Sequence, residues 1–110
     1  MDLKTQKIEI FIGEKPIVLK NAINFMNNKN ILPISIGSEI LKDERLFMTV
    51  SYNEEINDKK YSLKEEVIGN ISDIDIKEKI QNSFPETNVL CHEMFVDNLD
   101  IVYFVYLIEN

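Results

Sequence analysis

Near its start the chain alternates between apolar and polar residues. In TQKIEIFIG (5–13), Ile8, Ile10 and Ile12 recur at period two, which predicts a strand with these three on its half-buried face, ended by Gly13. EKPIVLKNAINFMNNKN (14–30) changes to helical spacing, with Leu19, Ala22, Ile23 and Met26 on one stripe. Pro16 suits the first turn of that helix, where a missing N–H has no partner to lose. ILPISIG (31–37) reads as a strand with Leu32, Ile34 and Ile36 on one face, and Pro33 places it at a sheet edge or on a bulge. RLFMTVSY (45–52) turns Leu46, Met48, Val50 and Tyr52 inward, after a hairpin connection at KDE.

NEEINDKKYS (53–62) is polar and divides the chain into half-units 1–55 and 56–110. SLKEEVIGN (62–70) predicts a short helix with Ser62 and Glu65 as its capping box and Gly69 as its stop. SDIDIKEKIQNSF (72–84) predicts a second helix, capped by Ser72, with Ile76, Ile80 and Phe84 as its stripe. TNVLCHEMFV (87–96) and DIVYFVYLI (100–108) are then two strands. The last is apolar on both faces, the mark of a central strand covered on each side. Its second face meets the chain itself, a partner or a symmetry mate. The expectation is a single α+β domain over 1–110, with helices on one face of a mainly antiparallel sheet. A helix–strand–strand unit is used twice, with few identities between its copies.

Length and composition fit one soluble domain, since 110 residues with 45% apolar side chains support a modest core. Charge changes the picture more. The net charge of −7 is uneven: residues 1–55 carry seven basic and eight acidic side chains, whereas residues 56–110 carry five and eleven. That surplus argues against direct nucleic-acid binding, which needs Lys and Arg on phosphates. It favours a basic protein partner drawn in over distance. The candidate contact residues are Glu65, Glu66, Asp73, Asp75, Glu78, Asp97 and Asp100. Asp73 and Asp75 also have a purely structural reading, because a helix N-terminus favours carboxylates. No apolar run reaches a membrane span, no signal-peptide pattern precedes the first strand, and one cysteine fits a reducing compartment, so a cytoplasmic protein is expected.

The one place where chemistry could sit is NVLCHEMF (88–95), which sets the only cysteine, Cys91, beside the only histidine, His92. Neighbours on a strand face opposite ways, so the two side chains cannot meet as nucleophile and base. No second Cys or His completes a zinc-type ligand set, and the three glycines lie too far apart for a phosphate loop. An Asp/Glu-only magnesium site is left open, though no spacing selects it. The expectation is a non-catalytic protein without cofactor or metal.

IKEKIQNSFPETNVLCHEMF (76–95) resembles the helix–strand segment of the phage uracil-DNA glycosylase inhibitor family. The likeness lies in a short amphipathic helix, the step Pro85–Glu86–Thr87–Asn88, the strand Val89–Leu90–Cys91–His92, and Phe95. The resemblance implies a small acidic α+β inhibitor, of phage or mobile-element origin, that mimics DNA in a glycosylase's basic groove. Its acidic residue at the helix start falls on Asp75, and its apolar pocket on Ile76, Ile80 and Cys91. The sequence thus favours a protein that blocks a basic partner, such as a nuclease, glycosylase or toxin, in the manner of DNA mimics, immunity proteins and anti-defence proteins. The alternative is a structural or self-assembling module, with IVYFVYLI at a homodimer interface.

Overall fold

The computed structural model describes residues 6–85 and 88–110. Its elements run β1 (Lys7–Gly13), α1 (Lys15–Met26), β2 (Ile31–Ile40), β3 (Leu46–Glu54), β4 (Tyr61–Asn70), α2 (Ile76–Asn82), β5 (Val89–Val96) and β6 (Ile101–Glu109). The class is α+β with antiparallel pairing throughout, as the periodicity predicts. Two three-stranded sheets form, in the orders β1–β3–β2 and β4–β6–β5.

Residues 62–70 correct the sequence reading. They form β4, not a helix, and Gly69 stops nothing; it sits where a bulge shifts the pairing with β6. There its φ of 157°, unusual for an L side chain, and its bare Cα let the Asp73 carboxylate come within 2.9 Å of where a Cβ would stand. Pairing with β6 along its length settles the segment's state against its helical cap pattern. The correction also sharpens the repeat. Each half is now strand–helix–strand–strand with its last strand in the middle of its sheet.

The two sheets meet where β2 runs beside β5, and α1 lies against β1, β3 and β2 as well as β4. Val18, Ala22 and Met26 of α1 therefore share one core with Leu46, Met48 and Val50 of the first sheet and with Tyr61, Val105 and Leu107 of the second. At the far end of α1 the Asn27 side chain pairs with Tyr61 like a short piece of strand, donating to its carbonyl at 3.0 Å and accepting its N–H at 2.8 Å. Asn57, the one buried polar residue among those described, donates to the Tyr61 hydroxyl at 2.7 Å and to the Ile31 carbonyl at 3.3 Å. These bonds tie the linker to both sheets and leave its buried amide satisfied.

Three further expectations change. Ile8, Ile10 and Ile12 do lie on one face of β1, but it is the outer one, 64%, 51% and 52% exposed, because Phe11 takes the side that meets α1 through Phe25. Leu32, Ile34 and Ile36 do not share a face, since a bulge between Pro33 and Ser35 turns Ile36 inward and leaves Ile34 exposed. Helix α2 starts at Asp75 rather than from a Ser72 cap; the Ser72 hydroxyl bonds the Asn70 side chain instead.

Strand β6 is covered on both faces by its own chain. Val105 and Leu107 enter the shared core, while Val102, Phe104 and Tyr106 lie on the opposite face, also buried. There Phe104 packs against Phe84 just after α2, ring centroids 5.8 Å apart, and against His92 at 5.7 Å. The IVYFVYLI strand is therefore not a free homodimer surface.

Candidate functional site

Tight turns at one end of the molecule gather most of the nominated carboxylates. The β5–β6 turn begins at Asp97, whose carboxylate accepts the N–H groups of Leu99 and Ile101, both at 2.9 Å, and the Tyr103 hydroxyl at 3.0 Å. Asp at the first position of a turn commonly bonds the backbone two residues on. Partial burial pushes the Asp97 carboxyl up, but these bonds and the nearby Lys15 outweigh it and hold the group below the usual carboxylate range. Asp100 takes the left-handed conformation that closes the turn, φ 63°, which Asp and Asn tolerate.

The segment after β4 lies against this turn. The Ile71 N–H donates to the Asp100 carbonyl at 2.8 Å, and the Asn70 side chain reaches the Leu99 carbonyl at 3.5 Å. Asp73 turns back to accept the Asn70 N–H at 3.0 Å. That bond above all, helped by Lys79, holds the Asp73 carboxyl below the usual carboxylate range against the opposing effect of desolvation. Lys79 lies 3.4 Å from both Asp73 and Asp75, and the bond to Asp73 with the two negative charges holds its ammonium group above the usual lysine range. Glu78 is exposed on α2 and makes no ion pair among the described residues. Five of the seven nominated acids, Asp73, Asp75, Glu78, Asp97 and Asp100, thus belong to this one end.

Glu65 and Glu66 do not form a pair. They are neighbours on β4 and point to opposite faces. Glu65 accepts from Lys15 at 3.1 Å on the α1 side, and Glu66 accepts the Tyr106 hydroxyl at 3.3 Å on the α2 side. Lys15 also stands 4.0 Å over the Tyr103 ring. Lys15 and Tyr103, with Ile40, Glu44, Asp97, Asn98 and Leu99, line a cleft of about 200 Å³ between α1 and the two hairpin turns; Glu65 and Glu66 do not. Asn98 closes one wall by donating to the Leu41 and Lys42 carbonyls, at 3.3 and 3.4 Å. Sequence reading missed Lys15, Tyr103 and Asn98. The turn chemistry of VDNLD was the available signal for Asn98, whereas long-range contacts alone place Lys15 over Tyr103.

Cys91 and His92 face opposite ways. Cys91 packs toward the shared core in the seam between the sheets, where the Ile36 N–H approaches its sulfur. Burial pushes the thiol up to about 11, only partly offset by that N–H. His92 stacks edge-on to Phe84, centroids 5.3 Å apart. Helix α2 and Phe84 cover the face opposite to Cys91, so Ile76 and Cys91 do not line one pocket. Glu86 and Thr87, two residues that carry the family resemblance, lie outside the described residues. Among the described residues no three His, Cys, Asp or Glu side chains come together as metal ligands, and no helix is long and apolar enough to cross a membrane.

The thiol allows a direct check. In the folded protein Cys91 is expected to alkylate roughly a hundredfold more slowly at neutral pH than in denaturant, because so little thiolate is present. Mass-spectrometric alkylation rates measure this. Equal rates in the two states would show that the sulfur is not held in the seam.

Comparison with known protein families, with curated proteins and with solved structures finds no match to this chain.

Proposed function

We propose that this chain is a small acidic protein that acts by binding, occluding the basic surface of a protein that works on nucleic acid, as inhibitors of the DNA-mimic, anti-defence or immunity type do. The observation that supports this reading is the charge left over after internal pairing. Ion pairing within the chain leaves its net charge of −7 unchanged: Lys15 faces Glu65, and the single cation of Lys79 faces both Asp73 and Asp75. Among the described residues no charged side chain is buried, so the surplus lies at the surface. Much of it belongs to the end built from the β5–β6 turn and the start of α2, where Lys79 faces only Asp73 and Asp75 of the five nominated carboxylates, and Lys15 lies near Asp97.

Such a surface works through long-range attraction and contacts with Lys and Arg, and it needs no cofactor. A cytoplasmic setting fits the reduced Cys91. The test is capture on the immobilised chain from a host lysate at about 0.1 M and about 1 M salt, where the screening length falls from about 10 to 3 Å. A basic nuclease, glycosylase or toxin-type protein, retained at low salt and released at high salt, is the expected result. Recovery of no basic protein at either salt would count against the reading.

A further inference from the structure

The outer edge of β1 combines two features that proteins usually avoid together: a free strand edge and an exposed apolar face. Among the described residues strand β1 pairs with β3 alone, in a register that sets Phe11 opposite Met48 and Ile10 opposite Thr49. The Ile10 N–H donates not to β3 but to the carboxylate of Glu9, at an exposed 3.3 Å. Since both backbone groups of a residue point the same way in an antiparallel ladder, Ile8, Ile10 and Ile12 carry their amides and carbonyls along the free edge. The same three residues are the exposed apolar ones.

We propose that this edge pairs with the β1 edge of a second copy, antiparallel about a two-fold axis at Ile10. The strand itself selects that occupant. In KIEIFIG the isoleucines are symmetric about Ile10, so this register sets Ile8 against the second copy's Ile12 and Ile10 against its own equivalent. All three have the parity that points their backbone groups across the edge, so the pairs exchange hydrogen bonds in full. The same register sets Glu9 against Phe11 and Lys7 against Gly13, and brings no like charges opposite each other. Charge supports it as well: β1 belongs to residues 1–55, with seven basic and eight acidic side chains, so the strongly acidic halves stay apart. The two first sheets then join as one six-stranded sheet with an isologous interface. The long Glu9 bond gives way to a bond between backbones. This pairing does not use the β5–β6 end and stands independently of the partner reading.

Sedimentation across a concentration series and disulfide trapping test it together, in a Cys91→Ser background. A hydrogen-bonded antiparallel pair has its Cα atoms about 5.5 Å apart, within reach of a disulfide. Ile10→Cys is therefore expected to cross-link to itself. Ile8→Cys and Ile12→Cys are expected to cross-link when mixed but not alone. The unmodified chain is expected to form a dimer, and Ile10→Lys, which changes an exposed position and leaves the thermal transition in place, to weaken it about tenfold or more by setting two ammonium groups face to face. A chain that stays monomeric up to about 1 mM, the scale of the weakest specific affinities, would overturn the proposal. So would a dimer indifferent to Ile10→Lys, or self-linking of Ile8→Cys. A monomer whose β1 edge instead takes up another protein's strand would overturn it equally.

Discussion

Replacing Leu107 by alanine is expected to cost about 2–5 kcal/mol of folding stability, the range for deleting a buried leucine side chain. Leu107 is fully buried on the central strand β6, opposite Leu63 and Cys91, in the core that α1 shares with both sheets. Because α1 packs across strands of both sheets over this core, a void at Leu107 has little freedom to collapse, and the cost should fall in the upper part of the range. Urea unfolding followed by circular dichroism measures it. A loss below about 1 kcal/mol would show that the two sheets do not share a tightly packed centre.

Phe104→Ala on the other face of the same strand is expected to cost about 3–5 kcal/mol. Phe104 is 3% exposed, with Phe84, His92 and Tyr106 around its ring, Tyr106 at 5.2 Å. The comparison with Leu107 decides what the second apolar face is for. Were that face held in reserve for a partner, Phe104 would be half-exposed in the lone chain and its loss would fall within about 0.5 kcal/mol, as for surface substitutions. The thin cover, in which Phe84 itself remains 49% exposed, makes the lower part of the range the natural outcome.

These two positions also show what the sequence makes legible. The double apolar pattern of IVYFVYLI marks a central strand, and the structure puts β6 in the middle of its sheet with both faces buried. Alternation in RLFMTVSY identifies the inner face of β3 residue by residue. Two things escape a local reading. Ser62, Glu65 and Gly69 imitate a capped helix, but strand pairing along the whole of β4 outweighs those local preferences. In β1, period two fixes which residues share a face but not which face meets the core; Phe11 against Phe25 settles that. The candidate site was legible as charge and not as geometry. Composition shows where along the chain the carboxylates accumulate, whereas contacts such as Ile71 with Asp100 bring five of them to one end. The same contacts separate Glu65 from its neighbour Glu66.

In the proposed function, surplus negative charge at that end does the binding. Asp75→Asn, Glu78→Gln and Asp100→Asn together remove three charges from exposed side chains, and Asn retains the left-handed turn that Asp100 needs. Calorimetric titration of the captured basic partner with the triple variant measures the claim directly. Affinity should fall about tenfold or more, from roughly 0.5 kcal/mol for each lost charge pair, with a shallower salt dependence and an unchanged thermal transition. Undiminished affinity in the triple variant, at any salt concentration, would contradict the account.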